Sequence, residues 1–333
     1  MRFKDLGILF LGASLTRLTA CNDYLDVEPP SDLTPAAFFT TADDLAAYTI
    51  NLYNNTFTYI APGSYGISTF ANDNHTDNQA AMGYNTRWVP GEWKVGSNNY
   101  WTKGNWGNIR SINYFFEQVL PKYEAGKISG GSAVEHYIGE AYVIRAMHYF
   151  KFLQNIGDCP IVTNSLTDIE EELIAASERQ PRHKVARFII EDLNKAIGLL
   201  QESGPGGKNR VTKDVAYLLK SRVALYEATW EKYHAGTAFV PGGPGWPGKD
   251  AQGYNAQAEI DYFLTEAMSA AKVVGDKLVD NLAENTGSQE GMDANFNALN
   301  PYYVMFCDTD MDKYPEVLMW REYIEAQGLT HNI

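Results

Sequence analysis

Between residues 65 and 106, aromatic side chains are interleaved with amides and carboxylates, a combination that suits sugar recognition. An indole or phenol ring covers the apolar C–H face of a sugar ring. Amide and carboxylate groups then hydrogen-bond the sugar hydroxyls. We predict that glycan binding rests on six residues of this stretch, namely Tyr65, Asn72, Asp73, Tyr84, Trp88 and Trp93.

A second interpretation of the same aromatic residues is structural, because large aromatic side chains are mostly buried. Trp101 and Trp106 stand next to a predicted helix, where they would staple the loop onto a helical core. Trp88 and Trp93 lie in a polar loop of the kind that often carries function. The sequence leaves both interpretations open.

Alternating acidic residues near the C-terminal end raise the question of a metal. Asp308, Asp310 and Asp312 match the first three ligand positions of a calcium loop. Lys313 and Met319 stand where such a loop needs Gly and Glu. We therefore predict no metal site and no cofactor. Calcium on the three aspartates stays an alternative to a solvated acidic turn.

Signatures of catalysis are weak in this sequence. It contains no G-x-S-x-G nucleophile motif, and Gly207-Lys208 lacks the upstream Gly of a phosphate-binding loop. The six His residues are scattered, and His148 falls on an apolar helix face. We predict that the protein is not an enzyme. A surface glycoside hydrolase stays the alternative, because its two carboxylates need only a suitable spatial separation.

Composition narrows the class of partner. The chain has 333 residues, of which 45% are hydrophobic, and a formal net charge of −14. A sizeable core is therefore available, whereas nucleic acid, itself a polyanion, is excluded as a partner. Besides Cys21 the chain holds only Cys159 and Cys307. We favour two buried small apolar residues over a disulfide between them.

The N-terminus has the pattern of a bacterial lipoprotein signal. Arg2 and Lys4 precede a short apolar stretch, which is closed by Leu18-Thr19-Ala20-Cys21. We predict a signal peptide over residues 1–20, lipidation of Cys21 and a tether over residues 21–32. An ordinary signal followed by a chance Cys is the alternative. The folded part, residues 33–333, would then stand in water, held at a membrane by lipid alone.

Helical periodicity dominates the rest of the chain. Apolar residues recur every three to four positions in six segments, at 38–52, 109–120, 134–148, 185–200, 216–230 and 262–274. The spacing predicts a mainly α fold of tetratricopeptide-like helical hairpins, with a few short strands. Long irregular loops, rich in aromatic residues, separate them at 58–106, 156–178 and 236–256.

Several blocks, in order along the chain, resemble the SusD/RagB-like nutrient-binding outer-membrane lipoproteins of Bacteroidetes. They include Cys21-Asn22-Asp23-Tyr24-Leu25-Asp26, Glu140-Ala141-Tyr142-Val143-Ile144-Arg145-Ala146, Gly157-Asp158-Cys159-Pro160, Arg210-Val211-Thr212-Lys213 and Glu316-Val317-Leu318. The last block is similar to a late strand of that family. Members usually continue well beyond it, so the resemblance implies that the C-terminal region is incomplete here.

The resemblance carries functional expectations. It implies a lipid-anchored, surface-exposed outer-membrane protein that binds an oligosaccharide and delivers it to a TonB-dependent SusC-like transporter. It implies no catalysis, and it implies that the helical repeats form the docking surface for the transporter. A helical-repeat adaptor lipoprotein that binds no sugar stays a further alternative.

Overall fold

A computed structural model of the chain describes residues 38–57, 101–249, 251–285 and 300–328. These residues form eight α-helices, and the predicted mainly α fold is confirmed. The helices are α1 (Ala42–Thr56), α2 (Lys103–Glu124), α3 (Ser132–Ile156), α4 (Glu170–Ala176), α5 (Arg182–Leu199), α6 (Lys213–Tyr233), α7 (Ala256–Leu278) and α8 (Pro301–Cys307).

Helix α1 begins later than its apolar pattern predicts. Thr41 is its N-cap and forms a capping box with Asp44, which satisfies two backbone N–H groups of the first turn. Phe38 and Phe39 therefore precede the helix. Phe39 takes a positive φ of 62° and is buried against Tyr48 and Phe115. The apolar pattern of the helix extends to Phe38 and Phe39 because both residues pack on the same core, although neither is helical.

Helix α3 is the centre of the fold. Most of its 25 residues are buried, since it packs against α1, α2 and α5. Helix α5 packs in turn on α6, and α6 on α7. Each of these three neighbours covers a different part of α3, so residues that the sequence placed on a single face belong to a helix that is buried on most sides.

Two expectations about the segments between and after the long helices were wrong. The connector at 156–178 contains the short helix α4, none of whose residues is buried. The late strand expected at Glu316–Leu318 is a turn followed by irregular chain. Within the described residues the only β pairing consists of two isolated bridges, Thr41 with Ser129 and Cys159 with Gln180, so this segment has no neighbouring strand to pair with.

Buried charged pairs join the helices. Arg210 donates to both carboxylate oxygens of Glu140 in α3, at 2.8 and 2.6 Å, and Thr49 of α1 donates to Glu140 at 3.1 Å. Burial opposes ionisation of Glu140, yet the hydrogen bonds from Arg210 hold the pKa of this carboxyl below its usual value. The pair fixes the loop after α5 to the first and third helices.

Candidate functional site

The six residues predicted to bind glycan lie outside the described residues, as does the predicted lipidation site Cys21. They are Tyr65, Asn72, Asp73, Tyr84, Trp88 and Trp93. Their assignment stays a prediction.

The acidic turn at Asp308, Asp310 and Asp312 is held together by its own hydrogen bonds. Asp308 pairs with Lys313 and accepts from the Tyr314 hydroxyl at 2.7 Å. The hydrogen bond from Lys313 is the main cause that keeps the pKa of Asp308 well below its usual range. Across the part of the chain that the structure describes, no three His, Cys, Asp or Glu side chains are grouped to hold a metal ion.

Cys159 and His148 have the environments expected of structural positions, whereas Cys307 does not. Cys159 is fully buried, and burial raises the pKa of its thiol to about 12, which leaves it neutral and inert. Cys307 is exposed, so the prediction that both cysteines are buried is wrong for this one, because its short helix α8 packs mostly at the surface, and neither cysteine forms a disulfide. His148 lies in the core beside the Thr56 hydroxyl at 3.2 Å. Burial lowers the pKa of His148 to about 4, so it is a neutral core residue.

A largely apolar cleft of about 730 Å³ opens between the start of α2, the connector after α3, and α4. We call it the first cleft. Its apolar lining comprises Trp101, Trp106, Ile109, Pro160, Val162, Leu166, Leu173 and Ala176. Lys103, Arg110, Asn164 and Asp168 supply polar groups to it.

The connector that forms one wall of the first cleft is fixed by side chains of the core. Asn113 donates to the backbone carbonyls of Val162 and Asn164, at 2.9 and 3.2 Å. The Tyr149 hydroxyl both donates to the Val162 carbonyl and accepts from the Val162 N–H. These bonds satisfy an irregular backbone and give the cleft a defined wall.

Two tryptophans form a stacked platform in this cleft. Trp106 stacks on the core residue Phe152 with ring centroids 4.7 Å apart, as the stapling interpretation predicts. Trp101 stacks on Trp106 at 6.1 Å and keeps 38% of its surface exposed, so it is more than a staple. The Arg179 guanidinium lies 4.9 Å from the Trp101 ring centroid. An accessible indole in an apolar cleft is the feature that a sugar face requires.

Trp101 also lines a second cleft, of about 550 Å³. This second cleft is bounded by the end of α3, by α6 and by the Gly- and Pro-rich segment after α6, and its aromatic lining is Trp101, Trp230, Phe239 and Trp246. Trp246 donates its indole N–H to Asp158 at 2.8 Å, and Asp158 also accepts from the Arg182 backbone N–H. Burial raises the pKa of Asp158 in spite of these two bonds.

Sequence reasoning did not bring the residues of the second cleft together. Trp230 falls on the apolar stripe of α6 and was therefore assigned to the core. Trp246 falls within the long loop predicted at 236–256, where no periodic pattern indicates its partner. The signal that points to the cleft is the pair of aromatic residues, Phe239 and Trp246, within a segment that is otherwise rich in Gly and Pro.

None of the helices in the described residues is long and apolar enough to serve as a membrane span.

Comparison with known proteins places these features in a family. A family model described as starch-binding and associating with the outer membrane matches residues 23–225. A SusD-like protein of Bacteroides ovatus is 25% identical over 233 residues, which cover 68% of this chain and 40% of that protein. A SusD-like protein of Formosa agariphila is 23% identical over 207 residues, or 59% of this chain and 37% of that one.

One solved structure of similar description matches the chain at lower identity. A SusD-like carbohydrate-binding protein of Bacteroides fragilis shares 15% identity, with 75% of this chain and 43% of that chain covered at a TM-score of 0.48. The chain spans about two fifths of the length of the curated relatives named above. Because the family model matches more than half of the residues, the chain belongs to the SusD-like family.

Proposed function

We propose that the protein is a glycan-binding lipoprotein of the outer membrane, which captures an oligosaccharide and delivers it to a SusC-like TonB-dependent transporter. The observation that carries this proposal is the match of residues 23–225 to a family described as starch-binding and associating with the outer membrane. The protein would act by binding alone, without catalysis.

The described residues support the binding part of this proposal. The exposed indole of Trp101 lines an apolar cleft that also contains amide and charged side chains. Sugar binding needs both an aromatic face and polar groups of this kind. In the sequence, Trp101 and Trp106 follow directly after the stretch that contains Trp88 and Trp93. We therefore assign the principal contacts to the six predicted residues and a flanking contact to Trp101.

A polysaccharide panel tests the proposal. In native gels cast with soluble starch or with other soluble glucans, xylans and mannans, we expect at least one polysaccharide to retard the protein, compared with bovine serum albumin as a non-binding control. Incubation with the same polysaccharides should release no new reducing ends.

Other outcomes of this panel would overturn the proposal. Release of reducing ends by the purified protein would make it a glycoside hydrolase. Co-purification with a membrane barrel without retardation by any glycan would make it an adaptor.

The lipid anchor is a separate prediction. Cys21→Ala removes the thiol that would carry the lipid, and we expect the variant to leave the membrane fraction almost completely, because acyl chains supply the whole attachment. Fractionation of cells followed by immunoblotting measures this, with Cys307→Ala as the matched control that should stay membrane-bound. An unmodified residue 21 in the mass spectrum of the wild-type protein would contradict the anchor.

A further inference from the structure

Hydrogen bonds attach the segment that closes the second cleft to the helices. We call residues 236–249 and 251–254, which lie between α6 and α7, the strap. Trp246 donates to Asp158 at 2.8 Å, and the Phe239 carbonyl accepts from the Trp230 indole at 3.3 Å. At its end, the Tyr254 hydroxyl donates to Glu231 Oε2 at 2.9 Å.

Glu231 is an unusual partner for this last attachment. Its side chain, on α6, is fully buried. Oε2 accepts the Tyr254 bond, while Oε1 is buried without any hydrogen-bond partner among the described residues. An ionised carboxylate in that position would leave a charged oxygen desolvated and unpaired, which is strongly unfavourable. The geometry therefore favours a protonated Glu231.

The surrounding charges lead to the same conclusion. The carboxyl groups of Glu227, Glu231 and Glu259 face each other between α5, α6 and α7. Two guanidinium groups, from Arg182 and Arg187, pair with two of these three carboxyls. Arg182 binds both oxygens of Glu227, at 2.9 and 2.8 Å. Arg187 binds Glu259 at 2.8 Å. Within the described residues no ion pair reaches the third carboxyl, Glu231.

The remaining titratable groups of this cluster supply no positive charge. The His183 ring packs against the Tyr254 ring with centroids 5.0 Å apart, and burial lowers the pKa of His183 to about 4. Burial raises the pKa of Tyr254 far above its usual value, with Glu231 adding to the rise, so the hydroxyl remains a donor. Burial, together with the neighbouring Glu227 carboxylate, raises the pKa of Glu231 to about 8, although the hydrogen bond from Tyr254 acts in the opposite direction.

We propose that Glu231 is a pH-sensitive catch for the strap. When protonated, it holds Tyr254 and keeps Phe239 and Trp246 in the second cleft. Ionisation releases the proton of Glu231 to solvent and leaves a buried negative charge. Water can reach this carboxylate only if Tyr254 moves away, so ionisation releases the strap. The shape of the second cleft is then a function of pH. This inference does not depend on the identity of any ligand.

The sign and size of the effect follow from linkage. The pKa of Glu231 is higher in the docked state than the ordinary value of 4.5, so docking is most favourable at low pH and weakens as pH rises towards 8. With pKa values of about 8 docked and about 4.5 released, the opening equilibrium constant of the strap increases about tenfold between pH 7 and pH 9.

Hydrogen exchange followed by mass spectrometry tests the proposal on the full chain. After correction for intrinsic exchange rates, peptides from the strap should lose about tenfold protection between pH 7 and pH 9 in the wild-type protein. Glu231→Gln keeps the shape without the titration, so its strap should keep the same protection at both pH values. Asp261→Asn, which removes an exposed charge from α7, should behave as the wild type.

Two results would overturn the proposal. One is a strap whose corrected protection does not change with pH in the wild-type protein, or changes equally in Glu231→Gln. The other comes from carbon-13 NMR of the glutamate carboxyls in the wild-type protein, which does not require the variant to fold. One carboxyl should titrate near pH 8, and titration of every carboxyl below about pH 6 would exclude a protonated catch.

Discussion

Asp192→Asn is expected to lower the free energy of unfolding by about 3–5 kcal/mol, since it leaves a buried guanidinium without its counter-charge. Asp192 of α5 is fully buried and accepts two hydrogen bonds from Arg145 of α3, at 2.7 and 2.8 Å. Arg145 also donates to Asn113 of α2 at 3.0 Å. The single pair thus holds three helices in register around the centre of the fold.

The surroundings of Arg145 explain why the loss is not easily compensated. Its guanidinium lies 4.6 Å from the Phe116 ring centroid and 5.1 Å from that of Phe188, so water has little access to it. The other charged group near Asp192 is Lys195, whose Nζ lies 3.9 Å from the carboxylate and which is half exposed. Because Lys195 is itself positive, it cannot neutralise Arg145 once the carboxylate is removed. The asparagine variant keeps the shape of the side chain, and the expected effect is therefore electrostatic.

Urea denaturation, followed by circular dichroism, measures this change. The matched control is Asp276→Asn, because Asp276 pairs with Lys272 on the exposed surface of α7, where the two side chains are 65% and 73% exposed. The control should unfold at the wild-type urea concentration. An Asp192→Asn midpoint that coincides with that of the control would show that the buried pair does not hold the helices together.

Trp88→Ala/Trp93→Ala is the second change with a large expected effect. An aromatic ring contributes about 1 kcal/mol to stacking on another ring beyond the area it buries, and we expect a similar contribution on a sugar face. If both rings contact one ligand, removing them should weaken the affinity for the bound glycan by about thirtyfold. Isothermal titration with the polysaccharide that most retards the protein measures the affinity of both proteins.

The conservative variant Trp88→Phe/Trp93→Phe serves as the control, because it keeps an aromatic face at both positions. It should retain most of the affinity. Equal affinities for the alanine variant and the wild-type protein would contradict the assignment of the site to this loop. Affinity lost only in Trp101→Ala would move the site to the first cleft.

Helix periodicity was the part of the fold that could be predicted from sequence, because each long helix buries a stripe that recurs every three to four residues. The start of α1 could not, since Phe38 and Phe39 continue the apolar pattern into a non-helical segment. The short helix α4 carries no buried residue and therefore left no periodic signal. Glu170, Glu171 and Glu172 at its start are exposed.

The candidate site could be predicted only in part, because it depends on contacts between residues that are far apart in the sequence. Arg145 and Asp192 are 47 positions apart, and Asp158 and Trp246 are 88 apart, so nothing local in either segment indicates the partner. The protonation of Glu231 could not be predicted for the same reason, since it depends on Arg182 and Arg187 of α5 and on Glu259 of α7 as well as on Glu227 of its own helix. Trp101 was expected to staple the loop onto the core, and its exposure could not be predicted, because sequence position alone does not separate a stapling tryptophan from an accessible one.

Oxidative footprinting of the seven tryptophans, with and without the polysaccharide that most retards the protein, tests most directly whether the aromatic stretch grips carbohydrate. The glycan is expected to protect Trp88 and Trp93 most strongly and Trp101 to a smaller degree, whereas Trp320 should be oxidised equally in both samples. Protection confined to tryptophans outside residues 88–106, or unchanged oxidation at all seven positions in a sample with bound glycan, would contradict the proposed site.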